Sequence, residues 1–149
     1  MNSENLQKFR DSYRSFTEVR VAWGEMDAMN HVNNAVYFRY LESGRIEHLI
    51  ALGAYAEGRT TGTVVGSIQC RFRLPLTYPD TIIVGSRVRE IGHDRFTFEY
   101  AIYSHCHDRI AAEASSVVVA ITLHDGRKTA LPESVRAAVT AEMQRAPMI

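Results

Sequence analysis

Trp23-Gly24-Glu25-Met26-Asp27-Ala28-Met29-Asn30-His31-Val32-Asn33-Asn34-Ala35-Val36-Tyr37 is the stretch on which the reading of this chain turns. A lone acid, Asp27, stands just before a turn-rich tetrad, and two asparagines then open a helical pattern. From about Asn33 to Leu52 the apolar residues Val36, Tyr37, Tyr40, Leu41, Gly44, His48, Leu49 and Leu52 recur at helical steps on one broad face. Arg39, Glu42, Arg45 and Glu47 fall mostly elsewhere. Asn33 suits the N-cap and Gly53 the C-terminal stop. Gly44 inside the helix costs about 1 kcal/mol against Ala, and close approach of the helix to a sheet is the expected compensation. The arrangement sets a carboxylate beside the positive end of a helix. An acyl carbonyl bound there would meet a base and an oxyanion-stabilising dipole together.

Outward from this stretch the period is that of strands. Phe16 to Trp23 alternates and predicts a first strand; residues 1 to about 15 are polar and read as a frayed arm or a short helix. After a polar loop from Tyr55 to Gly62, four further strand patterns follow: Val64 to Leu74, Thr81 to Ile91, Arg95 to Ser104 and Ile110 to Leu123. They are separated by the Tyr78-Pro79-Asp80, Gly92-His93-Asp94 and Asp108-Arg109 turns. Pro132 opens a C-terminal amphipathic helix carrying Val135, Val139 and Met143, within a closing segment 132–149. The fold class is α+β. A single helix of about 18 residues has to bury its stripe against one antiparallel sheet of about five strands, within one domain over residues 1–149.

The residues Asp27, His31, Val32, Asn33, Asn34 and Tyr37, spaced D-x-x-x-H-V-N-N-x-x-Y, resemble the motif of the hotdog-fold acyl-CoA thioesterases, in the group like 4-hydroxybenzoyl-CoA thioesterase. The resemblance covers roughly residues 17 to 125 and includes Phe72-Arg73-Leu74-Pro75-Leu76-Thr77-Tyr78-Pro79-Asp80. It implies a sheet wrapped around one central helix, a thioester hydrolase, Asp27 as catalytic carboxylate and Asn34 as oxyanion donor. It also implies a homodimer or homotetramer with the site between subunits. One departure is Asn30, where relatives often carry Gly; Asn tolerates the left-handed backbone better than most residues.

Thioester hydrolysis asks for two things, because a thiol with a pKa near ~8.5 leaves without a strong acid. A carboxylate serves as base or nucleophile, and helix-start N–H groups hold the oxyanion. Asp27 and the Asn33/Asn34 backbone are the candidates, with His31 as a further acid–base group or a loop-shaping residue. Tyr37 lies on the inward helical face, and Glu25 reads as a polar loop residue. The acyl group could be carried by coenzyme A or by acyl carrier protein; a catalytically silent acyl-CoA binder is the reading from another class. Coenzyme A needs cations for its phosphates, and His93 and Arg95 sit at the turn where relatives place them.

The formal charge is zero, with 17 basic and 17 acidic residues, which argues against a general nucleic-acid partner. Cys70 and Cys106 form no C-x-x-C pair, the first ten residues carry no apolar leader core, and no apolar run is long enough for a membrane span. These features point to a cytoplasmic protein with free thiols. His105-Cys106-His107 offers two imidazoles but reads as part of a hairpin turn, so no metal or other cofactor is expected. His48, on the buried stripe, reads as a core histidine with satisfied ring nitrogens.

Overall fold

The helical pattern after Asn33 forms helix α2, Asn34–Ala51, and Asn33 caps it by accepting a 2.9 Å hydrogen bond from the Ala35 N–H. The computed structural model describes residues 3–145. Before α2 come helix α1 (Glu4–Ser12), strand β1 (Ser15–Arg20) and a short 3-10 turn (Trp23–Glu25). After it come β2 (Thr61–Phe72), β3 (Thr81–Arg89), β4 (Arg95–Ser104), β5 (Arg109–Thr122) and helix α3 (Glu133–Gln144). The strands make one antiparallel sheet in the order β1-β3-β4-β5-β2, with α2 across one face. The α+β expectation of five strands around one long helix holds.

Gly44 is where helix and sheet come closest. A Cβ there would stand 2.5 Å from Cγ1 and 3.0 Å from Cβ of Val84 on β3. Gly44→Ala therefore forces a stiff, β-branched neighbour out of a fully buried position. The variant is expected to lose about 1–3 kcal/mol by overpacking, although alanine is the better helix former by about 1 kcal/mol. Urea unfolding of the two proteins checks this. At the helix end Gly53 takes φ +85°, the left-handed stop that its position predicts.

The buried stripe of α2 includes Tyr37, Tyr40, Leu41, Gly44, His48 and Leu49, as the spacing requires. Arg45 departs from the expectation: it too is buried, with one guanidinium nitrogen 3.4 Å from the Tyr100 hydroxyl and another 4.0 Å from Glu42 at the rim. Its long aliphatic stem lets it cross the apolar layer and keep its head beside polar groups. His48 is a core histidine. Its Nδ1 lies 2.7 Å from Ser86 Oγ and its Nε2 2.7 Å from Glu142 Oε1, while Glu142 Oε2 accepts from the Val88 N–H at 3.2 Å. This buried row ties α3 to α2 and β3.

Residues 4–12 are more than an arm. Leu6 and Phe9 of α1 are buried with Ile83, Ala101 and Tyr103 on the sheet face opposite α2. A Cβ at Gly85 would come within 2.7 Å of the Phe9 ring, so the glycine admits the aromatic side chain. β1 stops at Arg20, three residues short of the predicted end: the Val21 N–H makes one last bond in the same register, to the Asp80 carbonyl at 2.9 Å, and the 3-10 turn Trp23–Glu25 then takes the chain away. Trp23 consequently leaves the sheet and is 75% exposed. The last residues of the C-terminal segment, 146–149, lie outside the described residues.

Candidate active site

The loop from Val21 to Asn33 folds back on itself ahead of α2. The Asp27 N–H bonds the His31 carbonyl at 2.8 Å, the Asn30 N–H bonds the Asp27 carbonyl at 3.0 Å, and Met26 bridges Val32. Asn30 takes φ +62°, so the left-handed position is real and asparagine fills it. The Val32 N–H reaches the Leu76 carbonyl at 2.8 Å, which seats this loop on the segment between β2 and β3.

Asp27 is half-buried at the centre of the loop. Its Oδ1 accepts from the Met29 N–H at 2.9 Å and, more weakly, from the His31 N–H at 3.4 Å. Among the described residues its Oδ2 has no partner. The Asx-turn role and an available carboxylate oxygen therefore coexist in one side chain. His31 contributes its backbone to the loop; its exposed ring makes no hydrogen bond among the described residues.

The helix start separates the two asparagines. Asn33 gives its side-chain oxygen to Ala35 and its N–H to the Glu25 carbonyl at 3.0 Å, so it builds the site and is a poor oxyanion donor. Asn34 is the first helical residue, and its N–H meets no acceptor among the described residues. That group is the free donor at the positive end of an 18-residue helix.

Tyr37 is buried one turn further on. Its hydroxyl accepts from the Leu76 N–H at 3.0 Å and lies 3.4 Å from the Leu74 carbonyl. It braces the wall of the site from the inward face of α2. Asp80, from the same motif, holds the Ser104 hydroxyl at 2.5 Å and the Cys106 N–H at 2.9 Å, fixing the β4–β5 turn at this end of the sheet. His105 to His107 lie in that turn, and the His107 ring is 3.1 Å from the Pro75 carbonyl. Among the described residues no group of three metal-type side chains converges. Half-burial pushes the Cys70 thiol up to about 11, so it is protonated at neutral pH and no nucleophile.

His93 and Arg95 are elsewhere. The strand register puts Arg20, Thr81 and Ser104 at the Asp27 end of the sheet and Arg89, Arg95 and Val119 at the other. A nine-residue strand spans about 30 Å, so one subunit does not bring them to Asp27. Arg95 is also held by its neighbour, Nε 2.7 Å from Asp94 Oδ1, which keeps the aspartate below and the guanidinium above their ordinary pKa values. Arg87 and Arg89 both pair with Glu99, at 2.8 and 2.9 Å.

Residues 21–139 match the model of the Thioesterase-like superfamily. The chain belongs to that superfamily. The hotdog architecture and the resemblance stated above are thereby borne out. The chain is 24% identical over 122 residues to the long-chain acyl-CoA thioesterase FadM of Escherichia coli (strain K12), a match covering 80% of this chain and 92% of that protein. It is 29% identical over 95 residues to the protein YsmA of Bacillus subtilis (strain 168), covering 64% of this chain and 65% of YsmA, just under two thirds of its length. The crystal structure of a thioesterase superfamily protein from Jannaschia sp. CCS1 superposes with a TM-score of 0.83 at 26% identity, over 95% of this chain and 92% of that one. A thioesterase from Thermus thermophilus, complexed with coenzyme A and Zn, gives 0.77 at 28% identity, over 90% of this chain and 98% of that one. Among the described residues no helix is long and apolar enough to cross a membrane.

Two contributors to the site escaped the sequence reading. Leu76 acts only through its backbone, which no side-chain motif reveals. Glu25 accepts from the Tyr40 hydroxyl at 2.7 Å and the Ala22 N–H at 2.8 Å, a pairing across 15 positions that periodicity does not encode.

Proposed function

We propose that this chain hydrolyses acyl-CoA thioesters, with Asp27 as base or nucleophile and the Asn34 N–H as oxyanion donor. The observation that carries the reading is the pairing of a half-buried carboxylate, one oxygen unpartnered, with the unpartnered first N–H of α2, both in the loop-to-helix joint. The carbonyl oxygen of the thioester lies against the helix start, where negative charge developing on it meets the Asn34 donor and the aligned peptide dipoles. The unpartnered oxygen of Asp27 takes a proton from water or adds to the carbonyl carbon itself. The coenzyme A thiolate then leaves without an acid; where Asp27 itself has added, water hydrolyses the acyl-aspartate anhydride that remains and frees the acid. The names of FadM and of the coenzyme A complex support this choice of carrier.

The functional unit in this reading is a homodimer in the cytoplasm. β2 is a twelve-residue edge strand with one side unpaired, and Val64 and Val65 on it are 45% and 38% exposed. Such an edge calls for cover. Antiparallel pairing of β2 with its symmetry copy carries the β3–β4 turn of the second copy toward the Asp27 end of the first, which is how a turn bearing His93 and Arg95 could serve coenzyme A. Light scattering at assay concentration is expected to give at least a dimer; a fully active monomer overturns the arrangement.

The test of function is thiol release from short, long and aromatic acyl-CoA thioesters and from acyl-acyl carrier protein. Turnover of an acyl-CoA supports the reading. Release from the carrier protein alone moves the substrate class, and no release from any of them leaves a binding protein.

A further inference from the structure

We propose that Glu25 is a positioning residue, a strut that works through Tyr40 to hold the Asp27 loop and the start of α2 in one fixed relation. The inference rests on the reading of Asp27 and Asn34 given above and concerns how the two are kept in register.

Base and donor sit on different elements. Asp27 rides on a loop, and the Asn34 N–H belongs to the rigid end of α2. Something has to lock loop to helix, because a misplacement of about 1 Å at a reacting centre costs on the order of 10²-fold in rate. Glu25 joins both at three points. Its Oε1 accepts from the Tyr40 hydroxyl, on α2, at 2.7 Å and from the Ala22 N–H at 2.8 Å, and its carbonyl accepts from the Asn33 N–H at 3.0 Å. Tyr40 is 2% exposed and its ring packs near Tyr37, so the anchor on the helix side cannot swing. Burial, reinforced by the bond to Glu25, pushes the Tyr40 phenol above its ordinary pKa, so it stays a proton donor.

The same geometry argues against Glu25 as a second catalytic acid. The oxygen facing the protein already serves two donors. Among the described residues the other oxygen, Oε2, has no partner. Glutamine can therefore replace glutamate with its carbonyl on both donors and its amide nitrogen in the unpartnered place.

The experiment measures kcat and KM of acyl-CoA hydrolysis, well below the melting temperature, for Glu25→Gln, Glu25→Ala, Tyr40→Phe, Glu25→Ala/Tyr40→Phe and, alongside, Asp27→Asn. Glu25→Gln is expected within about threefold of wild type, with an unshifted pH profile, since the acceptor is kept. Glu25→Ala should lose about 10–100-fold in kcat with little change in KM, and Tyr40→Phe about tenfold. The double variant should be no slower than Glu25→Ala, because both changes cut one link. If Glu25→Gln is as slow as Asp27→Asn, Glu25 is itself a reacting group and the strut is overturned. It is equally overturned if Glu25→Ala and Tyr40→Phe melt earlier yet keep full kcat. Should Glu25→Ala fail to fold, Tyr40→Phe decides. Full turnover in Asp27→Asn removes the base assignment beneath the proposal, whatever the strut variants do; loss there with full kcat in the strut variants removes the strut alone.

Discussion

Asp27→Asn is expected to leave a folded protein whose kcat falls by about 10²–10⁴-fold, with KM nearly unchanged. The fold survives because the carboxylate has two separable duties. Oδ1 accepts the Met29 and His31 N–H groups, and an asparagine carbonyl accepts both equally well. The unpartnered Oδ2 is what the amide replaces, and an amide neither takes a proton from water at neutral pH nor adds to a thioester. The loss corresponds to about 2.7–5.5 kcal/mol of transition-state stabilisation. Asp27→Ala is a poorer test, since it also opens the Asx turn and confuses loop damage with lost chemistry. The measurement is steady-state thiol release on protein whose melting temperature matches wild type. Near-wild-type turnover in folded Asp27→Asn ends the assignment.

How much of this was legible in the sequence follows from the range over which each signal acts. Helix α2 was, because its stripe, its Asn33 cap, its Gly44 contact and its Gly53 stop are all written within 21 consecutive positions. β4 was, because Phe96, Phe98, Tyr100 and Ile102 alternate without interruption. Helix α1 stayed open between arm and helix, since Leu6 and Phe9 are sparse and their partners Ile83, Ala101 and Tyr103 arrive from strands more than 70 residues away. The end of β1 was misjudged for a related reason: Val21 and Trp23 continue the alternation, but the partner strand begins only at Thr81, opposite Arg20, and the chain then enters the 3-10 turn Trp23–Glu25. In the candidate site, the sequence placed Asp27 in the loop ahead of α2 and Asn34 at the helix start, and the structure has them there. The distinction between Asn33 and Asn34 was not legible, because it depends on a backbone bond from Asn33 to Glu25. His93 and Arg95 were grouped with the site by analogy of turns, and only the strand register shows that one subunit holds them at the far end.

Asn34→Pro removes the proposed oxyanion donor and nothing else that the helix needs. The first helical residue has no intrahelical acceptor for its N–H, and proline is at home there with its φ near −65°. The residue before a proline must avoid the helical region, and Asn33 already sits at φ −59°, ψ 137°. The cap is untouched, since it runs from Asn33 Oδ1 to the Ala35 N–H. Proline at this position should therefore fold and melt close to wild type while kcat falls by about 10²–10³-fold, the usual loss for one oxyanion donor. Asn34→Ala is the control, because it keeps the N–H and removes the amide side chain; its kcat is expected within about threefold of wild type. Circular dichroism confirms the helix in both, and thiol release reads the rate. If alanine is as slow as proline, the side chain and not the backbone holds the oxyanion. If proline turns over at the wild-type rate, the developing charge is stabilised somewhere other than the start of α2.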